Sequence, residues 1–347
     1  MTIISPLKRA KKGVSVKILI TGGAGYIGSH LVKQLGEESD HEITVLDNLS
    51  TGFRDSVLYG EFIQADLSDF DKIDKIVKEG NFDAVIHFAA SLVVPESVTD
   101  PLKYYLNNTA NTANLIRSCI KHKVNRFIFS STAAVYGEKK GEEIKVKEND
   151  YLSPLNPYGM SKLMSETILK DAAKAHKDFK FVILRYFNVA GAAIDGKIGQ
   201  KTKDSTVLIK VCAETAAGKR DRMYIFGNDY PTPDGTCIRD YIHVEDLCYA
   251  HTKALEYLNE GGESDVFNCG YGRGYSVKEV VDTMKRVSGN DFEVRIKERR
   301  AGDPSAVIAN ANKIRNVLGW NPRYNDLDLI CKTAYEWEMK NALAMSA

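Results

Sequence analysis

Residues 16–28 read Val16-Lys17-Ile18-Leu19-Ile20-Thr21-Gly22-Gly23-Ala24-Gly25-Tyr26-Ile27-Gly28, and a helical stretch from Ser29 to Leu35 follows. A short apolar run thus delivers glycines 22, 25 and 28 to the start of a helix. Between a strand and a helix, glycine at such positions keeps side chains out of the tight turn, the path of an approaching pyrophosphate and the helix–sheet contact. The helix N-terminus then offers free N–H groups and the positive end of its dipole to phosphate. Asp47 closes the next strand, Glu42 to Leu46, 19 residues beyond Gly28. There an acid accepts hydrogen bonds from an adenosine ribose and repels a 2′-phosphate. Either feature has a plainer reading, as a ligand-free turn or as an Asp-Asn turn pair. Together they specify a dinucleotide and favour NAD.

The rest of the first half keeps the alternation that such a loop needs. Strands are expected at 62–64, 84–88 and 126–130, with helical segments around 72–78 and 107–121. Strands alternating with helices make a Rossmann-like α/β domain, a doubly wound parallel sheet, here assigned to 14–188. After Tyr186 the alternation weakens and turn residues thicken, notably from Gly227 to Gly235. Residues 189–347 read as a smaller substrate-binding lobe, with the chain rejoining the first domain at about 236–262. Residues 1–13, with four basic side chains and no long apolar run, read as a flexible extension. The formal charge is only +1, which leaves no broad basic field for nucleic acid. No stretch approaches a membrane span. Six scattered cysteines without a CxxC or Cys/His cluster suit a reduced, cytoplasmic protein without a metal site.

A second constellation carries chemistry. Tyr158 and Lys162 lie four residues apart behind Asn156-Pro157. Proline suits a first helical turn, and i,i+4 spacing puts both side chains on one face. A free tyrosine ionises near pH 10, but an adjacent ammonium and a nicotinamide cation favour the phenolate and make it a usable base. Thr132 follows the expected strand 126–130, at the C-terminal edge where ligands of such sheets bind, and its hydroxyl can bridge substrate and phenolate. Taken alone, the pair could be an ordinary amphipathic helix face, and Thr132 a loop residue bonding local backbone.

With these residues together, the G-x-x-G-x-x-G loop resembles that of the extended short-chain dehydrogenases. The chain from Val16 to Glu338 is similar to the UDP-galactose 4-epimerase family. The strings 21–30, 46–50, 127–131 and 184–188 carry the likeness, and 225–244, Ile225-Phe226-Gly227-Asn228-Asp229-Tyr230 through Arg239-Asp240-Tyr241-Ile242-His243-Val244, carry it most specifically. The resemblance implies a cofactor site of Gly22, Gly25, Tyr26, Ile27, Gly28, Asp47, Asn48, Asp66, Leu67, Phe88, Ala89, Ala90, Asn107, Ser130, Tyr158 and Lys162. Asp66 would sit near the adenine, Phe88 to Ala90 beside the nicotinamide ribose, and Asn107 would fix the cofactor loop. It implies that Asn188, Arg239, Arg300 and Asp303 hold the UDP diphosphate and ribose, and guanidinium is the preferred bidentate phosphate partner. Tyr158, Lys162 and Thr132 would then invert C4 of a UDP-hexose with tightly bound NAD, in a homodimer formed through helices of the first domain.

Three departures stand out. Leu92 replaces a lysine of some members. The stretch Ser205 to Lys210 lacks the family's usual sequence, so its diphosphate contacts stay unassigned. Val307 stands where a large tyrosine restricts sugar size, so N-acetylhexosamines are expected to enter. A nucleotide-sugar 4,6-dehydratase is disfavoured, because Ala133-Ala134 rather than Asp-Glu follows Thr132. A catalytically silent binding protein would not need Tyr158, Lys162 and Thr132 together.

Overall fold

The first strand stops at Thr21 because Gly22 turns into the left-handed region (φ 73°), which no extended strand continues. In the computed structural model the described residues are 15–138, 145–203, 205–300 and 303–345. The extension expected over 1–13 lies outside them.

In chain order the first half consists of β1 (Lys17–Thr21), α1 (Tyr26–Glu38), β2 (Glu42–Asp47), β3 (Glu61–Gln64), α2 (Phe70–Gly80), β4 (Ala84–His87), α3 (Val94–Thr99), α4 (Pro101–Tyr104), a π-helical turn (Tyr105–Ala110), α5 (Asn111–Lys121), β5 (Arg126–Thr132), β6 (Lys145–Val146), α6 (Pro157–Ala175) and β7 (Lys180–Tyr186). The second half adds β8 (Asn188–Ala190), α7 (Leu208–Ala216), β9 (Arg222–Phe226), β10 (Ile238–Arg239), β11 (Tyr241–His243), α8 (Val244–Asn259), β12 (Asp265–Cys269), β13 (Tyr275–Ser276), α9 (Val277–Ser288), β14 (Glu293–Lys297), β15 (Ala306–Ala309), α10 (Asn312–Leu318) and α11 (Leu327–Met345).

Seven strands form one parallel sheet in the order β12-β7-β5-β4-β1-β2-β3. Its central strands are buried on both faces, as parallel sheets require, and only the edge strand β3 is largely exposed. Period-two alternation divides their side chains between two cores. Ile18, Ile20, Ile128, Val182 and Leu184 enter the core shared with α1 and α8. Leu19, Phe127, Phe129, Phe181 and Ile183 enter the one shared with α2, α5 and α6. The strand order reverses on either side of β1, so the crevice of a doubly wound sheet opens at the carboxyl ends of β1 and β4.

The second lobe is built from small sheets, β13-β10-β15-β6, β11-β8 and β14-β9, backed by α7, α9 and α11. The return to the first domain, expected at about 236–262, runs instead through α8 and on to β12 (Asp265–Cys269), while β10 stays in the second lobe. Two further boundaries differ from the sequence expectation. β5 runs on to Thr132, because β7 keeps pairing with it as far as Thr132 opposite Tyr186. The helical segment expected from 107 begins at Pro101, with Asp100 accepting from the Lys103 amide (3.3 Å), and widens into the π turn before α5.

Candidate active site at the strand ends

The glycine loop is fixed by its neighbours. A Cβ on Gly22 would stand 2.5 Å from the Ala89 amide nitrogen, and one on Gly28 would stand 2.3 Å from the Gly22 carbonyl oxygen. α1 starts at Tyr26 without a side-chain cap, so its first amides face the crevice uncapped by protein side chains. A Cβ on Gly25 would meet only the Gly22 carbonyl, leaving its outer side open. The Tyr26 hydroxyl points away, donating to the Gly191 carbonyl (2.6 Å), and Ile27 packs on the core, so both residues offer backbone rather than side chain.

Asp47 ties this loop to the end of β2. Its carboxylate accepts from the amides of Ala24 (3.0 Å) and Leu49 (2.8 Å). Burial raises its pKa, and those two bonds oppose the rise. Beside it, Asn48 donates to Asp66 (2.7 Å), which also accepts from Ser68 and is held below the usual carboxylate range by those bonds. Leu67 is buried in the core and leaves only its backbone for a ligand. An uncapped helix start, an open glycine and two buttressed carboxylates at neighbouring strand ends fit an adenine dinucleotide.

Phe88, Ala89 and Ala90 follow β4, with the Ala89 amide donating to Thr21 (3.2 Å). Phe88 lies 4.7 Å, centre to centre, from the ring of His251 on α8. Asn107 donates to the Ser91 hydroxyl (2.9 Å). The firmer grip on that loop comes from its neighbour Asn108, which is buried, accepts from the Ser91 amide (2.7 Å) and donates to the Ser91 carbonyl (2.9 Å) and the Ser161 hydroxyl (3.0 Å).

Ser130 is the hub at the end of β5. Its carbonyl accepts from the Lys162 ammonium (2.9 Å), which lies 4.9 Å above the Phe129 ring. Its hydroxyl pairs with His251 Nε2 (2.9 Å); the other ring nitrogen meets the Leu247 carbonyl (2.9 Å), which makes Nε2 the acceptor. Tyr186 also bonds Ser130. Sequence reading gave neither His251 nor Tyr186 a role. Tyr186 sits inside a quoted string, but His251 is an unremarkable helical histidine more than a hundred residues from its partner.

Tyr158 and Lys162 meet here on one face of α6, with Thr132 opposite. The expectation that lysine lowers the phenol's pKa is outweighed by packing. Burial raises Tyr158, with only the Thr132 hydroxyl pulling it back. Burial likewise brings Lys162 down to about 7, against the attraction of Glu166. Additional positive charge beside the phenol is what would turn it into a base.

In the second lobe, parallel pairing of β10 and β15 sets Arg239 opposite Val307. Arg239 reaches Asp303 (3.8 Å), and the Arg300 guanidinium stacks 3.8 Å above the Phe226 ring. Asn188 is placed through its amide bond to the Asp240 carbonyl (2.9 Å). Asp240, another residue without a role in the sequence reading, is buried, and its carboxylate accepts the amides of Tyr271, Gly272 and Ala309 (2.8–3.2 Å). Desolvation still raises it to about 6. Val307 packs with Val135, Tyr136 and Phe187, directly beyond Thr132. Leu92 is exposed.

Residues 18–270 match the NAD dependent epimerase/dehydratase family. A UDP-glucose 4-epimerase of Azospirillum brasilense is 48% identical over 325 residues, covering 93% of this chain and 92% of that protein. The UDP-Glc/GlcNAc 4-epimerase of Campylobacter jejuni superposes with TM-score 0.82 at 56% identity, over 94% of this chain and 100% of that one. The Brucella ovis UDP-glucose 4-epimerase, solved with NAD, gives 0.89 at 42% identity, over 94% and 99%. A strand-end dinucleotide cradle with Tyr158, Lys162 and Thr132 beside it, on a backbone shared over nearly its full length, makes this chain a member of the NAD dependent epimerase/dehydratase family, in its UDP-glucose 4-epimerase branch.

Proposed function

We infer that this chain reversibly inverts C4 of a UDP-hexose, interconverting UDP-glucose and UDP-galactose, with NAD held as a prosthetic group. The observation that carries this reading is the meeting of Tyr158, Thr132 and the Lys162–Ser130 contact at the mouth of the glycine-loop crevice. NAD, held by the glycine loop, Asp47 and Lys162, would supply reversible hydride chemistry at C4 when bound. Tyr158 removes the 4-hydroxyl proton and later gives it back, and Thr132 relays between the two oxygens. Lys162, aimed by the Ser130 carbonyl, supplies a cation beside the phenol and a donor for the nicotinamide ribose. Residues 14–188, with the return of the chain through α8 and β12, hold the cofactor, and the remainder of 189–347 binds the substrate. Asn188, Arg239, Arg300 and Asp303 hold the UDP diphosphate and ribose, the guanidiniums suiting the phosphates and the acid the ribose hydroxyls, and this remote binding anchors the nucleotide while the sugar turns.

Val307 leaves room for a 2-acetamido group, so UDP-GlcNAc and UDP-GalNAc are further substrates; the Campylobacter relative carries that double specificity in its name. The working form is a homodimer through the exposed apolar side chains of α3, α4 and the π turn. Six cysteines, all buried and unpaired, support a reducing, cytoplasmic setting. No helix among the described residues is long and apolar enough to cross a membrane. Incubation with UDP-galactose, without added cofactor, tests the reading. UDP-glucose is the expected product, a 4-keto-6-deoxy sugar would mean a dehydratase, and no reaction from NAD-loaded protein would mean a binding protein.

A further inference from the structure

Tyr158, Lys162 and Glu166 stand at four-residue intervals on α6, one above another on a single face. Successive residues at the end of β5 meet them. The Thr132 hydroxyl faces Tyr158, the Ser130 carbonyl accepts from Lys162, and the Ser131 hydroxyl donates to Glu166 (2.6 Å). The reaction proposed above uses the first two contacts and not the third. Yet Glu166 is wholly buried and carries the most elaborate set of partners. Arg185 on β7, also buried, clamps it through Nε (2.9 Å) and Nη2 (2.6 Å). Arg185 in turn donates to the Tyr136 hydroxyl and the Glu148 carbonyl, both at 3.0 Å, and Lys170 approaches the same carboxylate (3.4 Å).

A buried ion pair is a poor source of stability, because desolvation consumes most of the attraction; apolar replacements of similar volume are often neutral or stabilising. What this pair does provide is aim. A bidentate fork between α6 and β7, with Ser131 as a third point, fixes the rotation of the helix against the strand ends. We propose that Glu166, clamped by Arg185, is a positioning residue of the reaction: it holds α6 so that Tyr158 and Lys162 reach their strand-end partners, and it sets a negative charge one turn below the Lys162 ammonium. This rests on the epimerase reading.

The surroundings of Lys162 bear on the second part. Tyr158 and Glu166 share its helix, β5 gives the Phe129 ring and the Ser130 carbonyl, and β4 gives His87, which burial lowers to about 3 and keeps neutral. Glu166 is the charge that opposes the desolvation of Lys162. Without it the ammonium form is lost at lower pH, so the alkaline limb of turnover moves down.

The informative variant is the double replacement Glu166→Gln with Arg185→Met, which removes both charges of the pair so that neither is stranded without the other; Ser131→Ala is a second that keeps the pair. We expect the double variant to fold, melt close to wild type and keep its NAD. Its kcat should fall about 10- to 100-fold, the usual scale for misplacing reacting groups, while KM for UDP-galactose changes less than about threefold. Its alkaline limb should move to lower pH. Ser131→Ala should lower kcat less and leave the limb in place. Unchanged kcat and pH profile in a folded, NAD-loaded double variant would overturn the proposal. So would losses of kcat, NAD and melting temperature in step, which is the signature of a purely structural pair. If the wild type itself does not epimerise, the epimerase reading fails, and positioning is read from the ultraviolet titration of Tyr158 against Tyr158→Phe. The phenol should ionise at higher pH in the double variant, and an unmoved titration overturns the claim.

Discussion

At the scale of single residues, burial works against the chemistry the site is asked to perform: it raises the Tyr158 phenol and draws the Lys162 ammonium down to about 7. A base so disfavoured would act only where a fixed partner and an added cation meet it. Tyr158→Phe removes the one group proposed to exchange the proton, so kcat should fall at least about 10²-fold while UDP binding, followed by calorimetry, persists. Thr132→Ala should cost less, since water can enter the relay. Near-wild-type turnover in Tyr158→Phe would remove the phenol from the mechanism. Val307 gives the sharper prediction about substrate. It lies opposite Arg239 and against the residues following Thr132, so a larger side chain there intrudes on the site. Overpacking a tight position costs about 1–3 kcal/mol, or roughly 5- to 150-fold. Val307→Tyr should therefore depress turnover of UDP-GlcNAc and spare UDP-galactose, as measured by competition kinetics. Absence of UDP-GlcNAc turnover in the wild type would defeat the gate. The gathering of Tyr158, Lys162, Thr132, Asp47 and the glycines at the strand ends was legible because their placement follows from local spacing and strand order. Asn108, His251, Asp240 and Glu166 were not, because each acts on a partner that only the folded chain brings near.

At the scale of elements, α6 is the one on which the site depends. Asn156 caps it, accepting from the Gly159 amide (2.9 Å), and Pro157 follows at the first helical position. Tyr158 stands in the first turn of the helix, where fraying begins. Losing a cap of this kind costs about 0.5–2 kcal/mol. Asn156→Ala should lower the urea midpoint by a corresponding amount and reduce kcat more than global stability alone explains. Asn156→Asp, which can still accept, should restore both. An alanine variant with lowered midpoint but full kcat would show that the first turn is held from elsewhere. The sequence announced this helix through Pro157 and the i,i+4 pair, and the central strands through their apolar runs. It did not announce that β5 extends to Thr132, because that limit is set by pairing with β7; the start at Pro101 is written locally, in the Asp100 cap and the proline after it, a signal the apolar pattern around 107–121 overshadowed. The second lobe was still less legible. Its sheets pair distant short segments, such as β6 with β15 and β10 with β13, and two-residue strands leave no periodic signal.

At the scale of the molecule, two properties follow from what is inside and what is left outside. Four fully or nearly buried histidines, His30, His87, His243 and His251, are lowered by desolvation to between about 3 and about 4. Between those values and the unfolded value near 6.5, the unfolded chain binds protons that the native chain refuses. Stability is therefore lost as pH falls through that window, by up to about 1.4 kcal/mol per pH unit for each histidine. Asp240, raised to about 6, has the opposite sign over about pH 4–6 and offsets only part of this. The melting temperature should be lower at pH 5 than at pH 7, with net proton uptake on unfolding; a flat profile would mean these rings are solvated.

One patch of what is left outside is apolar. Val98, Leu102 and Leu106 are 63, 69 and 65% exposed on α3, α4 and the π turn, with Met164 of the adjoining α6 at 41%. Contiguous apolar surface of this kind marks an interface, and a second copy of the chain is the proposed occupant. The face backs onto the reaction site. Tyr104 of α4 stands edge-on to Tyr158, 6.4 Å between ring centres, and is held by its hydroxyl to the Val93 carbonyl (2.6 Å) and Glu96 (2.8 Å). A second copy covering α4 would thus stiffen the wall against which Tyr158 is set. Light scattering should give twice the chain mass at micromolar concentration. Leu102→Glu with Leu106→Glu should give a monomer whose kcat falls while its NAD content holds. A wild-type monomer would end the dimer proposal, and a fully active monomeric variant would separate the interface from the chemistry.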